Sequence, residues 1–195
     1  MAAVAIMTAM SAQAQSGYED IKHEIGISYG ALSNSTWMSM GEDLGTIMGS
    51  LGHVTYNDGS IFGALGVEYF YHVSPLIGVG AIATYTRETK DIFYRDVKCG
   101  EAENTYISLL PAVKIDWLRK KYFGMYSKAA VGVTLTSKKE DYTDDSSKDI
   151  SEDNVDFNWQ ASLLGLEAGS PNLRCYFEFG VGEQGIFVGG VRFKF

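Results

Sequence analysis

The last eleven residues, Gly185 to Phe195 (Gly-Ile-Phe-Val-Gly-Gly-Val-Arg-Phe-Lys-Phe), constrain this chain more than any other stretch. Side chains alternate across a strand, so Phe187, Gly189, Val191, Phe193 and Phe195 share one face while Gly190, Arg192 and Lys194 share the other. A terminal phenylalanine on an exposed strand gains little in water, but it is well placed against lipid at an interface. The strand therefore asks for a sheet with an apolar outside.

The same alternation recurs upstream. His23 to Ala31 sets His23, Ile25, Ile27, Tyr29 and Ala31 against Glu24, Gly26, Ser28 and Gly30. After the turn signal Asn57-Asp58-Gly59, Ile61 to Val73 sets Leu65, Val67, Tyr69 and Tyr71 against Glu68 and His72. A third strand carries Ile77, Val79, Ala81, Ala83 and Tyr85. Arg87 to Glu103 reads as a charged loop. Strand four sets Ile107, Leu109, Pro111, Val113, Ile115 and Trp117 against Ser108, Lys114 and Asp116, and Pro111, which lacks a ladder donor, predicts a bulge. Strand five runs from Phe123 to Leu135 with Lys128 on its polar face. A long polar loop follows: from Lys138 to Asp156 there are eight acids and three lysines, a net of −5. Strand six begins at Phe157, and its parity reverses near Gly165, which predicts a second bulge. Strand seven sets Cys175, Phe177, Phe179 and Val181 against Glu178 and Gly182.

These eight strands are joined by connections that alternate long and short, except for a short last one. An even number of strands with that asymmetry, and only β spans available because no stretch has 18 consecutive apolar residues, predicts a sheet closed on itself in a membrane. The expected fold is all-β: an eight-stranded antiparallel up-and-down transmembrane β-barrel with one short helix in the first long loop. That helix is the amphipathic stretch Ser35 to Leu51, where Trp37, Met40, Leu44, Ile47, Met48 and Leu51 recur at three- and four-residue steps. With apolar faces outward, Tyr69, Tyr71, Trp117, Phe123, Phe177, Phe193 and Phe195 make one aromatic girdle, and Tyr29, Tyr85, Phe157, Trp159 and Phe187 make the other. The inward faces carry Glu24, Glu68, Asp116 and Glu178 with Lys114, Lys128, Arg192 and Lys194, a balanced polar network that fills so narrow a lumen.

Composition supports this reading. A net charge of −8 among 195 residues excludes the basic stripe that nucleic-acid binding requires. Residues 1–15 are small and apolar and end in Ala12-Gln13-Ala14, the pattern of a secretion signal peptide, which leaves residues 16–195 as the barrel domain. Cys99 and Cys175 fall near opposite ends of the strand map, too far apart to bridge, so two free thiols are expected. No metal-ligand spacing surrounds either one, and no cofactor is expected.

The exported start, the eight alternating strands and the terminal Val-Arg-Phe-Lys-Phe together resemble the small OmpA/OmpX-type outer-membrane β-barrel proteins over the whole mature chain. The resemblance implies a bacterial outer-membrane location, with both termini periplasmic and the long loops extracellular. It implies that Phe187, Val191, Phe193 and Phe195 form the signal read by the barrel assembly machinery. It supplies no catalytic motif. The partners it suggests are outer-membrane lipid and lipopolysaccharide, with an extracellular protein or glycan met by the loops, and the barrel is expected as a monomer.

Three other readings compete with a structural or surface-interaction role. His72-Val73-Ser74 resembles the His-x-Ser arrangement of outer-membrane lipid A deacylases, but it falls at a periplasmic turn with no carboxylate evident beside it. A small pore is the second. A soluble lipocalin-type barrel, the third, would turn the apolar faces inward around a ligand. The acidic loop lacks the regular ligand order of an EF-hand and reads as a solvated surface.

Overall fold

The computed structural model describes residues 21–36, 54–94, 97–142 and 150–195, with the backbone alone for residues 54–62, 94, 97, 99, 140–142, 150 and 151. Eight strands follow in order: β1 (His23–Ala31), β2 (Val54–His72), β3 (Ile77–Tyr94), β4 (Val97–Arg119), β5 (Phe123–Tyr142), β6 (Ile150–Gly169), β7 (Leu173–Gly182) and β8 (Phe187–Lys194). Each pairs antiparallel with its sequence neighbours, and β8 returns to β1, so the sheet is a closed up-and-down barrel. Closure runs from Glu24↔Lys194 to Ala31↔Phe187. His23 and Phe195 then exchange a pair of backbone hydrogen bonds of 2.9 Å each, which ties the C-terminus into the ladder.

The apolar–polar alternation is what decides the faces. Ile, Val, Leu and aromatic side chains point outward on every strand and are exposed, Ile27 at 61% and Leu109 at 58% among them, while the intervening residues are buried in the lumen. On β4 the outward apolar run from Ile107 to Trp117 covers ten residue steps, about 24 Å of height at a 45° tilt. A small core of Phe70, Ile82, Leu110, Ala112 and Ala130 fills part of the interior. Charged and polar groups fill most of the rest.

Strand lengths depart from the sequence reading at one end only. The segment Arg87 to Glu103, expected as a loop, is the continuation of β3 and the start of β4, paired from Arg87↔Thr105 to Tyr94↔Val97. Most of the expected Lys138–Asp156 loop is likewise ladder, paired up to Glu140↔Ile150. Asn57-Asp58-Gly59 is no turn: it lies within β2, and the register shift between Asp58 and Ser60 leaves Gly59 as a bulge. Of the expected helix Ser35–Leu51, residues 34–36 are helical and the remainder lies outside the described residues.

The bulges also moved. Across Pro111 the register with β3 is unbroken, and the β4–β5 ladder omits Leu110 and Pro111 without any shift. One missing donor thus removes two residue pairs from the ladder and forces no extra residue. Gly132 helps, because its backbone lies so close that an added Cβ would sit 2.1 Å from the Leu109 carbonyl oxygen. The irregularity of β4 against β5 falls instead at Trp117, between Asp116 and Leu118. The parity reversal of β6 is real and sits at Leu163, extra with respect to β7 between Ser162 and Leu164. There both Leu163 and Leu164 face outward. The Ser127 hydroxyl donates to the Leu163 carbonyl at 2.5 Å, satisfying an acceptor that the bulge removes from the ladder.

The barrel has an even end and an uneven one. At the terminal end lie the start of β1, the end of β8 and three tight connections, residues 73–76, 120–122 and 170–172. At the far end β1 stops pairing with β2 at Gly30↔Ala64, and β7 stops pairing with β6 at Gly182↔Gln160. Strands β2 to β6 continue past these points as a five-stranded wall. Arg87 to Tyr94 of β3 alone adds eight residues, about 25 Å along the strand.

Candidate functional site: an ionic lumen inside an apolar belt

Among the described residues, the lumen holds seven buried acids (Glu24, Glu68, Glu88, Asp116, Glu167, Glu178, Glu183) and seven buried bases (Lys90, Lys114, Arg119, Lys128, Arg174, Arg192, Lys194). Charge therefore cancels inside, as it must where water is scarce, because an unpaired buried ion costs several kcal/mol. Alternation puts these side chains inward, and closure brings strands distant in sequence within reach of one another.

Arg192 stands at the centre. Its guanidinium lies between the rings of Tyr176 (4.3 Å) and Tyr126 (4.8 Å). It binds Glu68 and donates to Glu167 at 2.9 Å, with Glu24 at 3.6 Å and Glu178 at 3.7 Å. Lys128 bridges Glu68 and Glu178 at 2.8 Å each. The Tyr126 hydroxyl and the Ser162 hydroxyl both donate to Glu178, at 2.6 Å. Toward the terminal end, Lys114 sits 2.7 Å from Glu24 and 3.4 Å from Asp116, while Lys194 contacts Glu24 at 2.8 Å and also binds Glu167. The floor is closed by two guanidiniums that hold backbone: Arg174 binds Glu167 at 2.7 Å and the carbonyls of Lys120 and Lys121, and Arg119 binds the carbonyl of Ile21.

All eight inward residues named from the sequence (Glu24, Glu68, Lys114, Asp116, Lys128, Glu178, Arg192 and Lys194) lie in this one buried network. Phe187, Val191, Phe193 and Phe195 lie on the outer surface, each about half exposed. Phe193 stacks on Phe195, and Phe195 stacks on His23. Glu167, Tyr126, Arg119, Arg174 and Tyr176, missing from the sequence-derived set, complete the network. Parity from Glu178 would have found Tyr176 and Arg174. Glu183 carried no such signal, since it lies in a turn.

His72 and Ser74 are not arranged as a base and a nucleophile. The Ser74 hydroxyl caps its own turn, accepting from the backbone amides of Leu76 and Ile77. His72 does have carboxylates beside it, unseen in the sequence: Nε2 is 2.9 Å from Glu24 and Nδ1 is 3.4 Å from Asp116. The three residues offer ligand atoms within 4.8 Å of one another, a spacing that suits a metal ion. Lys114 and Lys194, however, already hold both Glu24 oxygens, and added positive charge beside two ammonium groups is repelled. The cluster is best described as an ion-paired floor.

Cys175 is a free thiol on the outer surface of β7. Cys99 lies in β4 at the other end of the barrel, at a register shift against Ile92 and Phe93. On the outer face of the wall, Arg87 pairs with Glu103 at 2.6 Å and Lys98 with Glu101 and Asp91. The hydrogen bond that Arg87 donates to Glu103 holds its pKa above the usual value, and those that Lys98 donates to Glu101 and Asp91 do the same for Lys98. Exposed pairs of this kind contribute little stability and mark a solvated surface.

An apolar outside, an ionic inside and a closed antiparallel sheet of eight strands are now all established. In fold, this is a small closed up-and-down β-barrel. No family model and no curated protein matches the chain. Among solved structures it is similar to Ail, the attachment invasion locus protein of Yersinia pestis, with 12% identity and a TM-score of 0.45 over 90% of this chain and 97% of that one. A second structure of that protein, in complex with the heparin analogue sucrose octasulfate, gives 14% identity and a TM-score of 0.44 over 91% and 99%.

Proposed function

We propose that this chain is an integral outer-membrane barrel whose far-end wall meets partners outside the cell. The observation that carries the reading is the unbroken apolar belt around an ionic lumen, a distribution opposite to that of a soluble barrel. The belt's height of about 24 Å matches the hydrocarbon band of such barrels. In this reading residues 1–15 are the export signal, the termini face the periplasm, and Phe187, Val191, Phe193 and Phe195 present the assembly signal to the insertion machinery. The lumen is packed with paired side chains and serves as a strut.

The contact surface is the wall. Among the described residues, β2 above Ala64 pairs only with β3, and β6 above Gln160 pairs only with β5, so each leaves one open backbone edge. Open edges of this kind recruit an extended segment as an added strand. Glu152, Asp153 and Asn154 are exposed along the β6 edge, and the Lys138–Asp156 stretch carries a net −5, which favours a basic partner segment over an anionic glycan.

Membrane fractionation with heat-modifiable gel mobility tests the location: the folded protein is expected in the detergent-extracted outer-membrane fraction, migrating faster before boiling than after. Recovery in a salt-washed soluble fraction refutes it. Binding of basic and sulfated-glycan probes to whole cells tests the surface, and preference for the glycan would overturn the charge argument.

A further inference from the structure

The connection between β7 and β8 sits at the far end, yet its first two residues are as deeply buried as the lumen core: Glu183 is 0% exposed and Gln184 is 1% exposed. The turn folds inward over the bore. Its backbone passes so close to β1 that a Cβ on Gly30 would lie 1.7 Å from the Gln184 carbonyl oxygen. Gly182 (φ 139°) and Gly185 (φ 111°) flank the pair in a conformation that other residues rarely adopt, so the turn has a glycine pivot on each side.

The Glu183 carboxylate reaches across the mouth to three separate elements. It accepts from the amide and hydroxyl of Ser35 after β1, from the Ser108 hydroxyl of β4 at 2.9 Å, and from the Asn158 amide of β6 at 2.8 Å. Beneath it, the Gln184 amide donates to the Gln160 side chain at 2.8 Å and the Gln184 side chain reaches Ser28. All of these donors are neutral. Each of the other six buried acids has a lysine or arginine within 4.0 Å, whereas Glu183 has none among the described residues. A carboxylate buried on neutral donors alone gives up its hydration for hydrogen bonds that water can replace.

From the burial, the two pivots and the cation-free anchorage, we propose that residues 182–186 are a hinged plug sealing the far end of the lumen, with Glu183 as its latch. The ionic network below is a second, independent seal. Swinging the turn outward rehydrates Glu183 and uncovers the upper lumen without disturbing Arg192 or its partners.

The test uses the full chain in liposomes, with Cys99→Ser and Cys175→Ser as background and Ser28→Cys, just beneath Gln184, as reporter. A small cationic methanethiosulfonate reagent is added from the far-end side, and heat-modifiable mobility confirms that each variant is folded. With Glu183 intact, modification is expected to be slow, and Glu183→Ala should accelerate it at least tenfold. The pair Ser108→Ala/Asn158→Leu, which leaves the turn itself untouched, should accelerate it as well. Equal rates in folded Glu183→Ala and its parent would overturn the proposal, as would rapid modification of the parent.

Discussion

Replacing Arg192 by methionine should be the most damaging single change in the lumen. The guanidinium binds Glu68 and Glu167 and lies within 4.0 Å of Glu24 and Glu178, while its faces are covered by Tyr126 and Tyr176. Methionine retains most of the packing but removes the positive charge, turning the seven acids and seven bases buried among the described residues into a set with an uncompensated carboxylate. Breaking a buried pair from one side costs about 3–5 kcal/mol, or roughly two to three and a half powers of ten in the folding equilibrium. The assay is urea unfolding of the barrel in lipid vesicles, followed by tryptophan fluorescence. The partner change supplies the control. Glu68 also pairs with Lys128, so Glu68→Gln in the Arg192→Met background removes the surplus charge, and the double variant should lose at least 1 kcal/mol less than the two single losses combined. A loss below about 1 kcal/mol for Arg192→Met, or strict additivity in the cycle, would refute the view of the lumen as one charge-balanced unit.

Three further outcomes follow from the same geometry. Val131→Arg, on the lipid face near the middle of β5, should destabilise the vesicle-inserted barrel by about 2–4 kcal/mol, whereas the same change at Lys139, on the exposed wall, should be neutral in the same urea titration. Ser127→Ala strips the Leu163 carbonyl of its hydroxyl partner within the belt and should cost about 1–2 kcal/mol, while Ser127→Thr retains the donor and most of the stability. Phe195→Ala removes the stack on His23 and Phe193 and should slow assembly by the reconstituted insertion machinery several-fold, read as the rise of the heat-modifiable band, with little change in the final urea midpoint.

The belt was legible in the sequence because two solvents impose opposite demands on alternate residues. Ile107, Leu109, Val113 and Ile115 cannot trade places with Ser108, Lys114 and Asp116, so each strand within the belt announces its faces. Leu163 and Leu164 show how sharp that signal is, since the reversal of parity located the bulge to within two residues. Beyond the belt the outer face meets water, and the signal vanishes. Thr89 and Asp91 outside alternate with Glu88 and Lys90 inside, polar against polar, so the upper part of β3 reads as a loop although it is fully paired. Gly59 misled in the same region, where a bulge and a turn draw on the same residues. Glu183 was invisible for a different reason: nothing in a four-residue turn tells whether it folds inward or out, and only the contacts from Ser35, Ser108 and Asn158 decide it.

The uneven rim also has a polarity. Strands β2 and β6, whose far-end edges have no neighbour strand among the described residues, are both even-numbered and both run from the far end toward the terminal end. Copies standing side by side in one membrane share that direction, so edge-to-edge contact between neighbours could form only parallel pairs, which are slightly weaker per residue than antiparallel ones. A strand that arrives pointing away from the membrane, whether from a free ligand or from an identical barrel in an apposed cell surface, meets either edge antiparallel. In the proposed orientation, such a wall would discriminate by direction before any side chain is read, disfavouring its own neighbours and admitting what comes from across the gap.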